Sequence, residues 1–230
     1  MIIFLPVILI IILILNYIIP HLVKKMWRWR FLKWADDSGK IYLTFDDGPD
    51  ISSTGQILDI LRLYEIRATF FVLGENVKHH PSLIDRIIKD GHTIGIHGDK
   101  HLHPWKVLPW RAMEEISSGK KVLENNGIKT KYVRPPYGKL NIFSLLYIWM
   151  NGLIFIHWNV DPEDYFQNEP EKITKFLLNK IQLGKVVLLH DGRQSGTFSN
   201  NVTVKGLSDL LKVNKNPSNL FSPLPIKGLS

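Results

Sequence analysis

Residues 41–49 read Ile41-Tyr42-Leu43-Thr44-Phe45-Asp46-Asp47-Gly48-Pro49, and their order decides the fold class. Five apolar or β-branched positions follow one another without a helical period. The run stops on two carboxylates, then Gly and Pro, which form a turn. A strand that is apolar on both faces belongs in a parallel sheet covered by helices. Working outward, similar runs recur at 68–73, 93–97, 131–135, 153–158 and 186–190, with a weaker one at 221–224.

Helical patterns fill the intervals. Pro81 can open a helix that buries Leu83, Ile84, Ile87 and Ile88, and Gly91 can close it. Pro170 can start another that buries Ile173, Phe176, Leu177 and Ile181 ahead of Gly184. Asn141 and Gly152 bracket 142–151, and Gly127 ends the stretch carrying Ile116 and Leu123. Six or seven βα units in residues 40–230 fall short of a regular eightfold barrel, which takes about 250 residues. The expectation is an α/β fold, a distorted or incomplete (β/α) barrel of six to seven units.

Asp46 and Asp47, His97, Arg134 and His190 each fall at or just past the end of one of these runs. Strand C-termini of such a barrel converge on one face, where residues distant in sequence share a cleft. Any one of them alone reads as an ordinary loop residue; five such residues at four strand ends point to a site. Two adjacent carboxylates behind a buried strand are costly without a compensating cation. His97 and His101, separated by three residues, can turn both imidazoles toward one point, and with one carboxylate they form the three-ligand set of a catalytic metal site. As an isolated pair among nine histidines they would read as structural; His92 and His103 are read as structural or surface residues.

Taken together, Thr44 to Pro49, His97-Gly98-Asp99-Lys100-His101, Arg134-Pro135-Pro136-Tyr137 and Leu188-Leu189-His190 resemble, in order and spacing, the motifs of the polysaccharide deacetylases, the NodB-homology carbohydrate esterases of family 4. The resemblance covers roughly residues 40–230. It implies that Asp47, His97 and His101 hold a divalent metal, with zinc the first choice and cobalt, manganese or nickel compatible with the same donors. It further implies that Asp46 is the general base oriented by Arg134, that His190 is the general acid tuned by Asp164, and that the Tyr137 backbone N–H binds the oxyanion. Two positions depart from the family pattern: Gly98 stands where Ser or Thr usually follows the first His, and Tyr165 where Trp usually follows Asp164. The implied activity is hydrolysis of N-acetyl groups from amino sugars of an envelope polysaccharide or glycolipid by metal-activated water. No Gly-x-Ser-x-Gly elbow offers a serine nucleophile instead.

Residues 2–19 contain no charge. A run of this length is expected to be a transmembrane anchor, residues 1–20, rather than a cleaved leader, because no Lys or Arg precedes it and no small-residue cleavage pattern follows. Residues 21–39 interleave Lys24, Lys25, Arg28, Arg30 and Lys33 with Trp27, Trp29, Phe31 and Trp34, which suits a juxtamembrane segment on an anionic lipid surface. Residues 1–40 hold six basic and two acidic side chains, half of the formal charge of +8, so the rest of the chain is too weakly basic for a nucleic-acid partner. The absence of Cys excludes disulfides and thiolate chemistry. The expected setting is a single-pass cell-membrane protein with its catalytic domain on the extracytoplasmic face, as the resemblance favours, although the positive-inside rule points to the cytoplasm. Two other readings stay open: an inactive glycan- or lipid-binding membrane scaffold, and a deformylase or deacetylase of a lipid-linked sugar precursor on the cytoplasmic face. The Gly/Ser/Asn-rich stretch 193–201 reads as a loop at the cleft edge, and the residues after Asn214 as a loosely structured end.

Overall fold

The computed structural model describes residues 4–192, 201–213 and 217–226. Its centre is a sheet of six parallel strands: β1 (Tyr42–Asp46), β2 (Thr69–Leu73), β3 (Thr93–Gly98), β4 (Tyr132–Val133), β5 (Ile154–Phe155) and β6 (Val186–His190). Their spatial order is β5-β4-β3-β2-β1-β6, so the chain winds outward from β1 to β5 and then returns to the other side of β1. The six runs read from sequence are these six strands. The weaker run at 221–224 is not a seventh: Phe221 makes one isolated bridge to Ile41.

The sheet curls into an incomplete barrel. Five residues beyond β5, Val160 bridges to β6, donating from its N–H to the carbonyl of Val186 and accepting from the N–H of Leu188. This single point of pairing spans the breach between the two edge strands. Alternation along the strands separates two apolar faces. Leu43, Phe45, Phe70, Ile96, Val133, Val187 and Leu189 pack outward under the helices. Tyr42, Phe71, Tyr132, Ile156 and Val186 gather on the inner face.

The helices are α1 (Phe4–Leu13), α2 (Ile19–Asp37), α3 (Thr54–Leu63), α4 (Gly74–His79), α5 (Pro81–Lys89), α6 (Pro109–Asn125), α7 (Ile142–Met150), α8 (Pro170–Lys180) and α9 (Asn201–Val213). Pro begins α5, α6 and α8, where its missing N–H costs nothing. Asn141 caps α7 in a reciprocal capping box with Ser144. On α5 the core takes Ile84 and Ile87, while Ile88 is exposed and Leu83 half-buried, so the buried stripe is narrower than the sequence pattern. On α8, Ile173 and Leu177 are buried, with Phe176 and, one residue past the helix, Ile181 packed at the margin.

Helices α1 and α2 join through a π-helical turn, Ile14–Ile18, and Pro6–Asp37 is long and apolar enough to cross a membrane. Only 6% of its most apolar window is buried, so it is not a core helix. Its basic-aromatic half is docked on the barrel. Ile19, Val23, Trp27, Phe31 and Ala35, spaced by four, run along the side that packs against the domain. Phe31 and Ala35 are fully buried within the inner-face cluster, and the Trp27 ring lies 6.3 Å from Phe155 of β5. At the far end Asp36 packs on Gly184, just before β6. Helix α2 therefore covers the breach that Val160 bridges, and burial of Phe31 alone contributes about 1.5–3 kcal/mol.

Candidate active site

Every residue proposed from sequence for the site lies at the C-terminal end of the sheet or in the loops that follow it. Parallel neighbours fix the register: Asp46 stands beside His190 on β6, and His97 lies near the end of β3. Three of the site residues sit in left-handed backbone, Asp47 (φ 74°), His101 (φ 62°) and Tyr137 (φ 58°). Non-glycine residues are strained there, and such strain is a mark of positions held for function.

Asp47, His97 and His101 offer ligand atoms within 4.8 Å of one another. The Nε2 atoms of both imidazoles aim at one oxygen, Asp47 Oδ1, at 3.1 and 3.2 Å. That oxygen is buried without a hydrogen-bond partner. Two nitrogens and a carboxylate oxygen converging on one point fit a divalent cation and leave positions open for water and substrate. Burial pushes His101 down to about 4, which keeps its ring neutral as a ligand must be. Burial works against charge on Asp47 too, but His97 and His101 hold its carboxyl well below the usual range. His97 is raised despite burial because Asp46 and Asp47 favour positive charge beside it, a charge that either a proton or a metal ion supplies.

Asp46 is held differently from its neighbour. Its Oδ1 accepts a 2.6 Å charge-assisted bond from Arg134 Nη1, and its Oδ2 stays 3.7 Å from His97 Nδ1. Arg134 is completely buried inside the barrel, donates to Thr44 Oγ1 at 2.9 Å, and stacks over Phe71 at 4.2 Å. Opposite, His190 Nδ1 pairs with Asp164 Oδ1 at 2.7 Å. The second Asp164 oxygen accepts from the His190 N–H and from Thr203 Oγ1 of α9. Burial opposes charge on His190, but Asp164 outweighs it and lifts the imidazole to about 10, so the ring carries a proton at neutral pH.

The sequence profile of the polysaccharide deacetylases matches residues 34–147. A chitooligosaccharide deacetylase of Bradyrhizobium sp. (strain ANU 289) is 32% identical over 203 residues, 84% of this chain and 93% of its own length. The chain belongs to the polysaccharide deacetylase family. The peptidoglycan-N-acetylmuramic acid deacetylase PdaC of Bacillus subtilis (strain 168) is 34% identical over 74% of this chain, which spans only 36% of PdaC. A solved structure of PdaC superposes with a TM-score of 0.67 at 31% identity, covering 76% of this chain and 82% of that one.

The two departures from the polysaccharide deacetylase pattern have structural counterparts. Gly98 has φ 121°, and a Cβ there would meet Glu115 Oε1 at 2.7 Å. Glu115 is buried and accepts from the backbone N–H groups of Asp99, Lys100 and Leu102 at 3.0, 2.6 and 3.3 Å. A carboxylate from α6 thus holds the loop between His97 and His101. Glu115→Ala is expected to cost about 1–3 kcal/mol of stability and to weaken divalent-cation binding roughly 10–100-fold. Urea unfolding and competition with a chelator read the two effects, and unchanged cation affinity would remove Glu115 from this role. Tyr165 sets its ring edge-on to His190 at 5.0 Å, so an aromatic wall against that imidazole is kept.

Two contributors escaped sequence reading. Besides Glu115, Asp191 is fully buried behind the site; its carboxylate accepts from Thr54 Oγ1 at 2.7 Å and packs on Gly48. Burial, with the charges of Asp47 and Asp46, pushes Asp191 up to about 7. Of the histidines set aside, His92 is structural, its Nδ1 accepting from the Ala68 N–H. His103 stands at the cleft rim, 4.6 Å from the Tyr137 ring and 3.1 Å from Lys139 Nζ. Of the loop expected at 193–201, residues 193–200 lie outside the described residues, and Asn201 instead opens α9.

Proposed function

We propose that this chain is a membrane-anchored, metal-dependent deacetylase that removes N-acetyl groups from amino sugars of an envelope polysaccharide or glycolipid. The observation that carries the reading is the division of labour between adjacent carboxylates, Asp47 facing two imidazoles and Asp46 facing Arg134. Asp47, His97 and His101 would hold the metal, zinc before cobalt, manganese or nickel. Bound there, such an ion supplies Lewis acidity, which makes water nucleophilic near neutral pH and polarises the acetyl carbonyl.

The chain's own residues do the rest. Asp46, oriented by Arg134, takes the proton of the attacking water through Oδ2. The Tyr137 backbone N–H donates to the oxygen that becomes negative as the carbonyl turns tetrahedral. His190 gives its proton to the sugar nitrogen as the carbon–nitrogen bond breaks, and Asp164 keeps that proton on the ring beforehand. Acetate and a free amine are the products. A scaffold without activity would have no use for base, acid, guanidinium and three ligands in one cleft. The apolar helix supports attachment to the cell membrane, with the catalytic domain on the extracytoplasmic side as the preferred placement.

The test uses the full chain in detergent, stripped of metal by a chelator, and acetylated chitooligosaccharides. Acetate release should vanish on stripping and return with zinc; release that survives complete metal removal would sink the metal-dependent mechanism. The His190–Asp164 pair predicts a pH signature as well. Its folded value near 10 exceeds the unfolded value of about 6.5. The stability it contributes is thus complete below about 6.5 and lost as pH rises toward 10. The unfolding free-energy gap between the native chain and Asp164→Asn is expected to narrow across that window, and a gap constant from pH 6 to 10 would contradict the pairing.

A further inference from the structure

The path of α2 across the barrel fixes which way the cleft looks. Its C-terminal end packs on Gly184, ahead of β6, and Trp34 packs on Tyr42 at the start of β1. Twelve residues before Asp36, Lys24 Nζ donates to the carbonyl of Gly138, the residue after Tyr137, at 3.2 Å. That stretch of helix rises about 18 Å, close to the roughly 17 Å length of six-residue β3. The helix therefore climbs the full height of the barrel, from the closed end to the catalytic end. Its apolar continuation leaves from the catalytic face.

The change from apolar to basic residues falls between Ile19 and Lys24. A bilayer crossed by the apolar segment has its surface at that level. The same level meets the cleft rim. Lys24 lies on the oxyanion loop, and Tyr17, inside the apolar segment, sets its ring edge-on to Trp105 at 5.8 Å. Trp105 in turn donates to the Leu140 carbonyl and carries Lys139 Nζ 4.6 Å over its ring. Around this point the loops after β1, β3 and β5 and the first turn of α6 expose Ile51, Leu108, Phe166 and Trp110, all on the face from which the helix departs. Apolar and aromatic side chains with lysines at their edge are the composition of a surface that sits in lipid headgroups.

We propose that the cleft opens toward the bilayer and that its substrate is an acetylated amino sugar carried on a lipid in the same leaflet. This rests on the deacetylase reading and on the apolar helix crossing the membrane. Confinement to one bilayer replaces a free encounter by a two-dimensional one at high effective concentration.

The zinc-loaded full chain in lipid nanodiscs provides the test. It is offered N-acetylglucosamine linked through diphosphate to a polyprenyl chain, and soluble acetylated chitotetraose. The lipid-linked sugar should be favoured in kcat/KM by about 100-fold or more. Leu108→Ser with Phe166→Ser should cut that rate severalfold and leave the chitotetraose rate unchanged. Because the chain has no Cys, spin labels at Leu108→Cys and Leu183→Cys report on the two ends of the barrel. Collisions with oxygen dissolved in lipid should broaden only the first. Equal water exposure of both labels would overturn the orientation, and equal rates on the two sugars would overturn the substrate class. If neither sugar loses acetate even in detergent, it is the deacetylase reading that fails, and the labels still decide the orientation.

Discussion

Asp46→Asn is expected to lower kcat by about 10²–10⁴-fold, the span usual for loss of a general base, with divalent-cation affinity nearly unchanged. The prediction follows from the separate anchoring of the two carboxylates. Asp47 faces His97 and His101, whereas Asp46 is turned by Arg134 so that only Oδ2 is left to take a proton. Asparagine keeps the shape and can still accept from the guanidinium, but its amide cannot accept the proton of water. Steady-state rates at saturating zinc, beside a chelator competition for affinity, separate base from ligand. Activity within tenfold of the native chain would take the role of base from Asp46. A large fall in affinity would place Asp46 among the ligands instead.

Arg134→Met should cost about 3–5 kcal/mol of stability, because it leaves the Asp46 carboxylate buried without its guanidinium. Arg134 is the largest fully buried side chain among the described residues, with Thr44, Asp46 and the Phe71 ring around it. Lysine is no remedy, since a single ammonium cannot reproduce the planar fork or the stacking. Urea unfolding of Arg134→Met, Asp46→Asn and the double variant isolates the pair. The double variant should be more stable than the sum of single losses predicts, because neither charge is then stranded. A loss under about 1 kcal/mol for Arg134→Met would mean that water reaches the barrel interior.

Much of this was legible in the sequence because buried parallel strands leave a plain trace: unbroken apolar runs ending on a polar residue. Each of the six runs became a strand, and Asp46, His97, Arg134 and His190 came together at their ends. What the sequence concealed lies where one residue serves two patterns. Glu115 follows Glu114 and looks like another solvated acid, yet it falls on the stripe of Ala112, Ile116, Gly119 and Val122 that α6 buries. A charge on an apolar stripe was the available signal. Asp191 offered none, since an Asp-Gly pair after a strand reads as a turn. Val160 lies between Asn159 and Asp161, and its pairing across the breach has no local signature. In α2 the density of Lys, Arg and Trp suggested a lipid surface and masked the every-fourth-residue spacing of Val23, Trp27, Phe31 and Ala35.

The docking of α2 also redraws where the folded unit begins. A soluble form cut at Lys40, the natural place to start if the preceding segment were a tether, would strip Phe31 and Ala35 from Tyr42, Tyr132, Ile156 and Val186. It would leave a greasy slot along the barrel wall, held together at one strand pair by Val160. Such a fragment is built to stick to its own copies. A cut ahead of Ile19, with the last apolar turns replaced by polar residues, keeps the seam closed and is the form in which a water-soluble version should stay monodisperse.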